Sequence, residues 1–118
     1  MFYKLIEEYS SIVVSYFVSE YKRYGSAVSL IATINFINGS SLFIKDYLFL
    51  DGKRKYSYHW QDANGKLITR WDNSPHHKEI STFPHHKHLL NDVVESKERI
   101  IKDVLKVIRD TILADVRN

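Results

Sequence analysis

The chain has 118 residues with 44% hydrophobic and 14% aromatic content, which suits one globular domain, residues 1–118, rather than a disordered segment. It has no cysteine, which excludes a disulfide framework, a thiolate nucleophile and a cysteine-ligated zinc site, and its net charge of +3 is modest. The start, Met1-Phe2-Tyr3-Lys4-Leu5, has no secretory pattern and no apolar run approaches membrane-spanning length, so the expectation is a cytoplasmic protein without a membrane.

Phe2, Leu5, Ile6 and Tyr9 recur at helical spacing and predict a short N-terminal helix. From Ile12 to Arg23 β-branched and aromatic residues favour a strand that Tyr24-Gly25 ends. Val28, Leu30, Ala32, Ile34 and Phe36 then alternate with Ser29, Ile31, Thr33 and Asn35, a strand with one core-facing side. Asn38-Gly39, Asp51-Gly52 and Asn64-Gly65 supply left-handed turn residues, separating strands over 40–50, 53–61 and 66–73. Ile100, Ile101, Val104, Leu105, Ile108 and Ile112 trace one face of a second helix, roughly 96–115. The sum is an α+β fold: an antiparallel meander of about five strands, with a helix at each end packed on the sheet or paired across a homodimer.

If Asn64-Gly65 is a two-residue loop, Asp62 faces Leu67, His59 faces Arg70, Tyr58 faces Trp71 and Ser57 faces Asp72. Tyr56, Tyr58, Trp60, Thr69 and Trp71 then share a core face, and Ser57, His59, Arg70 and Asp72 share the other. A three-residue loop would shift the register by one and scramble this sorting.

The polar face leads into the chain's most unusual stretch. Residues 53–88 carry seven Lys/Arg against three Asp/Glu, whereas the segments before and after are close to neutral. The same third holds both tryptophans and every histidine, five of the six within residues 76–88, and the phrase Pro-His-His-Lys occurs twice. Ser74 to Leu90 shows no sustained period. Pro75 and Pro84 stiffen the starts of the two His-His pairs, predicting extended backbone there, with Ile80 and Phe83 anchoring the loop on the sheet. On extended backbone His86 and His88 point together, His85 and Lys87 point the other way, and only one of His76 and His77 faces inward.

Imidazoles accept and release protons near neutral pH, so two of them flanking a phosphodiester can serve as general base and general acid. RNA brings its own nucleophile, the 2′-hydroxyl, so cleavage by proton transfer requires no cofactor. The candidates for that chemistry are His76, His77, His85, His86 and His88, with Arg70 as phosphate cation and Asp72 orienting a ring. His59, Lys87, Lys53 and Lys55 are candidate nucleic-acid contacts. The same groups fit a divalent metal such as zinc, with His77, His85, His88 and Asp72 as candidate ligands, although the spacing matches no standard metal motif. A solvated basic face is the blander alternative.

Tyr56-Ser57-Tyr58-His59-Trp60-Gln61-Asp62-Ala63-Asn64-Gly65-Lys66-Leu67-Ile68, Arg70-Trp71-Asp72-Asn73-Ser74-Pro75-His76-His77 and Thr82-Phe83-Pro84-His85-His86-Lys87-His88 closely resemble the TumE family of toxins from toxin-antitoxin pairs. The close match spans residues 53 to 90, with Trp71 and Ser74 standing where tyrosine and alanine are expected. The resemblance implies a growth-inhibiting toxin whose cognate antitoxin carries a helix-turn-helix DNA-binding domain. It transfers no mechanism. The local chemistry points to RNA as the target and to a histidine-rich ribonuclease; a non-catalytic nucleic-acid- or metal-binding module acting through a partner is the alternative.

Overall fold

In a computed structural model, which describes residues 1–117, three of the hairpin turns close in one way. At each, the residue before the loop exchanges a backbone bond with the residue after it, as Phe36 N–H does with the Ser40 carbonyl (2.9 Å), Phe49 with Lys53 (2.9 Å) and Asp62 with Lys66 (2.8 Å). The three residues between end in a glycine at positive φ: Gly39 at 84°, Gly52 at 85° and Gly65 at 81°. Asn38, Asp51 and Asn64 do not share the left-handed role, since among the described residues only glycines have positive φ. The loops therefore hold three residues rather than two.

The sheet runs β1 (Val13–Tyr24), β2 (Ala27–Phe36), β3 (Ser41–Leu48), β4 (Arg54–Gln61), β5 (Leu67–Asp72), β6 (His86–Leu89) and β7 (Asp92–Glu95), each antiparallel to the next. It has seven strands where about five were expected. The last two have four residues each and come from the stretch that showed no period. A histidine-rich strand that short has too few apolar positions for alternation to register.

The β4–β5 register resolves the loop-length problem. Gln61 pairs with Leu67, not Asp62 as expected, but a bulge between Trp60 and Gln61 absorbs the extra loop residue. Beyond it Trp60 faces Thr69, His59 faces Arg70, Tyr58 faces Trp71 and Ser57 faces Asp72, so the expected two-sided sorting survives.

Helices α1 (Phe2–Glu8) and α2 (Ile101–Arg117) both lie on the face carrying Leu30, Ala32, Ile34, Leu42, Ile44, Tyr56, Tyr58, Trp60 and Trp71. Phe2 and Ile6 from α1, and Ile101, Val104, Leu105, Ile108 and Ile112 from α2, complete the core. A polar network fixes the approach to α2: Arg54 donates from Nη1 to Glu98 (2.8 Å) and the Arg99 carbonyl (3.1 Å), and from Nη2 to Asp46 (3.1 Å) and the Tyr58 hydroxyl (2.8 Å). No helix among the described residues covers the opposite sheet face. Among the described residues no helix is long and apolar enough to cross a membrane.

A Cβ at Gly39 would sit 3.0 Å from the Ala63 Cβ, whereas one at Gly52 meets nothing within 4 Å. Both positions carry left-handed strain, of about 1–2 kcal/mol for an L-residue. Gly39→Ala should therefore lower the urea midpoint more than Gly52→Ala; equal losses would show that the contact between neighbouring turns is not felt.

Candidate functional site

β5 ends at Asp72 because the next residue takes over the ladder with its side chain. Asn73 accepts the Tyr56 N–H at Oδ1 (2.9 Å) and donates from Nδ2 to the Arg54 carbonyl (2.9 Å). Ser74 then turns the chain back over the uncovered face, donating both its N–H (3.0 Å) and its hydroxyl (2.8 Å) to Asp72 Oδ1. Residues 75–84 form successive turns rather than extended backbone, so the expectation for the first His-His pair does not hold. Ile80 is half-buried and Phe83 is 40% exposed. The segment enters β6 through a cis Phe83–Pro84 peptide.

β6 pairs with β5 so that Asp72 faces His86 and Arg70 faces His88. Residues two apart on a strand share a face, which brings both rings onto the one carboxylate. His86 Nε2 lies 2.9 Å from Asp72 Oδ1, and His88 Nε2 lies 3.2 Å from Asp72 Oδ2 and 3.2 Å from His86 Nε2. Arg70 Nε donates to Asp72 Oδ2 at 3.2 Å. His77 closes the group from the loop above, its ring centroid 4.8 Å from that of His86 and 5.5 Å from that of His88. The ligand nitrogens of His77, His86 and His88 fall within 4.8 Å of one another. A groove of about 620 Å³, lined in part by Arg70, His77, Glu79 and His88, opens onto them.

Burial divides the roles. His86 is 1% exposed and the Asp72 side chain 7%, whereas the side chains of His77 and His88 are 28% and 27% exposed and that of Arg70 is 40% exposed. Of the cluster, His77, His88 and Arg70 line the groove, while His86 and Asp72 lie beneath it. Burial opposes ionisation of Asp72, yet the two Ser74 bonds and the neighbouring imidazoles of His86 and His88 hold its pKa below the ordinary value. Burial lowers the His88 pKa; the Asp72 carboxylate acts against that, and the charges of His86, His77 and Arg70 add to it, so the neutral form of the ring is favoured.

The remaining candidates fall elsewhere. His85 lies outside the cluster: its Nδ1 bonds the Tyr56 hydroxyl at 2.9 Å and its ring stacks on the Tyr56 ring, on the helix side of the sheet. His86 takes the place in the candidate metal set that the sequence assigned to His85. Lys87 pairs with Trp71 and so projects to the helix side as well. His76 is exposed in the turn after Pro75. Lys53 sits in the β3–β4 hairpin, and Lys55 lies on the uncovered face of β4, in line with His59. Three contributors went unread in the sequence: Ser74, the Pro84 carbonyl, which bonds His86 Nδ1 at 2.8 Å, and Glu79, 3.5 Å from His77 Nδ1. Of these only Asp72-x-Ser74 left a local trace, as an Asx-turn spacing.

On the uncovered face the cluster continues into an aromatic and basic surface. His59 lies 3.4 Å from Arg70 Nη1 through its Nδ1, with the Phe43 ring 6.1 Å away. Tyr47 stacks on Phe49 at 6.4 Å, and Lys45 and Lys55 project between. Burial and the Arg70 guanidinium lower the His59 pKa, while a bond from Gln61 opposes them. The folded ring thus resists protonation, and its NMR titration midpoint should fall below the ordinary histidine value of about 6.5. Arg70→Gln should move that midpoint upward; an unmoved midpoint would remove Arg70 as a cause.

No curated protein and no solved structure matches the chain. A family model described as Toxin TumE matches residues 2–118, essentially its whole length. The strands that carry the Asp72–His86–His88 cluster and the helices that back them thus lie within one family pattern, and the chain belongs to the TumE family of toxins.

Proposed function

We propose that this toxin is an endoribonuclease that cuts single-stranded RNA at the groove above Asp72, His86 and His88. The observation that carries the reading is the sharing of one buried carboxylate by two imidazoles and a guanidinium, with a third imidazole closing over them. Attack of a 2′-hydroxyl on the neighbouring phosphorus needs an acceptor for its proton, a proton for the departing 5′-oxygen and positive charge for the phosphoryl oxygens. His77 and His88 are the accessible rings for proton transfer, and Arg70 supplies the charge. His86 is a positioning residue, too buried to touch substrate. The product of such a cut is a 2′,3′-cyclic phosphate.

The uncovered sheet face supports an RNA substrate. Phe43 is 40% exposed and Phe17 67% exposed on that face, among Lys45, Lys55 and Arg70, and aromatic side chains beside cations suit unpaired bases and their phosphates. Action in the cytoplasm, and neutralisation by a cognate antitoxin with a helix-turn-helix domain, follow from the family reading. A non-catalytic module working through such a partner is the second reading, and the same experiment separates the two.

Purified protein incubated with single-stranded RNA should yield cyclic-phosphate ends. His77→Ala and His88→Ala should each slow cleavage by roughly 100-fold or more, the usual contribution of a general acid or base, whereas His76→Ala should cut normally. A strand with one deoxynucleotide at the cut position should resist. Full cleavage by both cluster variants, or of an all-deoxy strand, would sink the mechanism; tight RNA binding with no product would favour the second reading.

A further inference from the structure

The His86–Asp72 contact needs either a second proton on His86 or a bound cation. The Pro84 carbonyl can only accept, so the 2.8 Å contact puts a proton on His86 Nδ1. In neutral His86 the other nitrogen, Nε2, is then a bare lone pair. It faces Asp72 Oδ1 at 2.9 Å and His88 Nε2 at 3.2 Å, while His88 Nε2 faces Asp72 Oδ2 at 3.2 Å. The Asp72 carboxylate and the Nε2 atoms of His86 and His88 thus converge on one point, and the ligand nitrogens of His77, His86 and His88 lie within 4.8 Å of one another. A proton on His86 Nε2 would satisfy Asp72 alone, whereas a metal ion at the same point would satisfy Asp72, His86 and His88 together.

We propose that His77, His86, His88 and Asp72 bind one divalent transition-metal ion of the zinc class. Tetrahedral ligands about 2.0–2.1 Å from such an ion stand about 3.3 Å from each other, close to the 2.9 Å and 3.2 Å separations among Asp72, His86 and His88; the His77 nitrogen, within 4.8 Å of the other two, moves in on binding. Three imidazoles select a borderline ion over magnesium or calcium, which take oxygen ligands. The outer supports are those of a metal site: His86 Nδ1 is held by a backbone carbonyl, and Asp72 is held by Ser74 and Arg70. The groove opens onto the cluster and gives the ion a path in from solvent. That the ion serves cleavage rests on the ribonuclease reading: with His77 and His88 holding the ion, an ion-bound hydroxide would take the 2′-hydroxyl proton and the water so formed would return a proton to the departing 5′-oxygen; that it binds does not.

The test uses the full chain, stripped with chelator, dialysed and titrated calorimetrically with zinc chloride, with cobalt(II) absorption as a second readout of the ligand set. One ion per chain is expected, with a raised melting temperature. His77→Ala and His88→Ala, both at partly exposed positions, should weaken binding by at least tenfold and flatten the cobalt bands. Ser74→Ala should weaken it by roughly tenfold, as loss of an outer support does, and His76→Ala should leave it unchanged. A folded wild-type protein that takes up no zinc, or uptake indifferent to all the cluster variants, overturns the proposal. RNA cut equally well in chelator by a protein that binds no ion would overturn it while leaving the ribonuclease reading intact. One ion bound through the cluster with no RNA cut would uphold it while removing that reading.

Discussion

A carboxylate whose side chain is 7% exposed stands at the end of β5, and the site is organised around compensating it. Leaving such a charge in a low-dielectric setting without partners is costly, and Asp72 avoids this by accepting from Ser74 twice and from Arg70, with two imidazoles against its oxygens. These contacts come from β5, from the loop after it and from β6, so satisfying one side chain holds three segments together. The loop over residues 74–85 has little apolar burial of its own. Its order derives from polar contacts to Asp72, from His77 over the cluster, and from Thr82, which donates to the His85 carbonyl at 2.6 Å and accepts the Ser96 N–H at 3.0 Å.

The period-two geometry of the strands separates stability from chemistry. On β4 and β5 one side carries Tyr56, Tyr58, Trp60 and Trp71 into the core, and the other carries His59, Arg70 and Asp72. Both helices and the Arg54 network lie on the first side. Substitutions on the uncovered side can therefore alter recognition without disturbing the packing beneath. The bulge after Trp60 protects this separation, because without it a three-residue loop would turn His59 and Arg70 onto unmatched faces.

Within the cluster, depth separates the rings. His86 is enclosed and fixed at both nitrogens, and so orients its neighbours. His77 and His88 stand at the rim with Arg70, where a phosphodiester can reach them. The proposed ribonuclease would need a surface that grips the strand without reading much of its sequence, and stacked or exposed rings among lysines are suited to that kind of contact.

The sequence by itself determined the meander through Gly65, both helices, the two-sided sorting of the last long hairpin and the family, because alternation, helical spacing and glycine turns are local signals. It also determined that His86 and His88 point together, since that follows from any extended backbone. Only the tertiary structure decided that His86 rather than His85 joins Asp72, that Lys87 turns away and that His77 is the inward member of its pair. Those outcomes depend on the β5–β6 register and on the path of a loop without period. Register is fixed by contacts between segments, and no spacing within either segment records it.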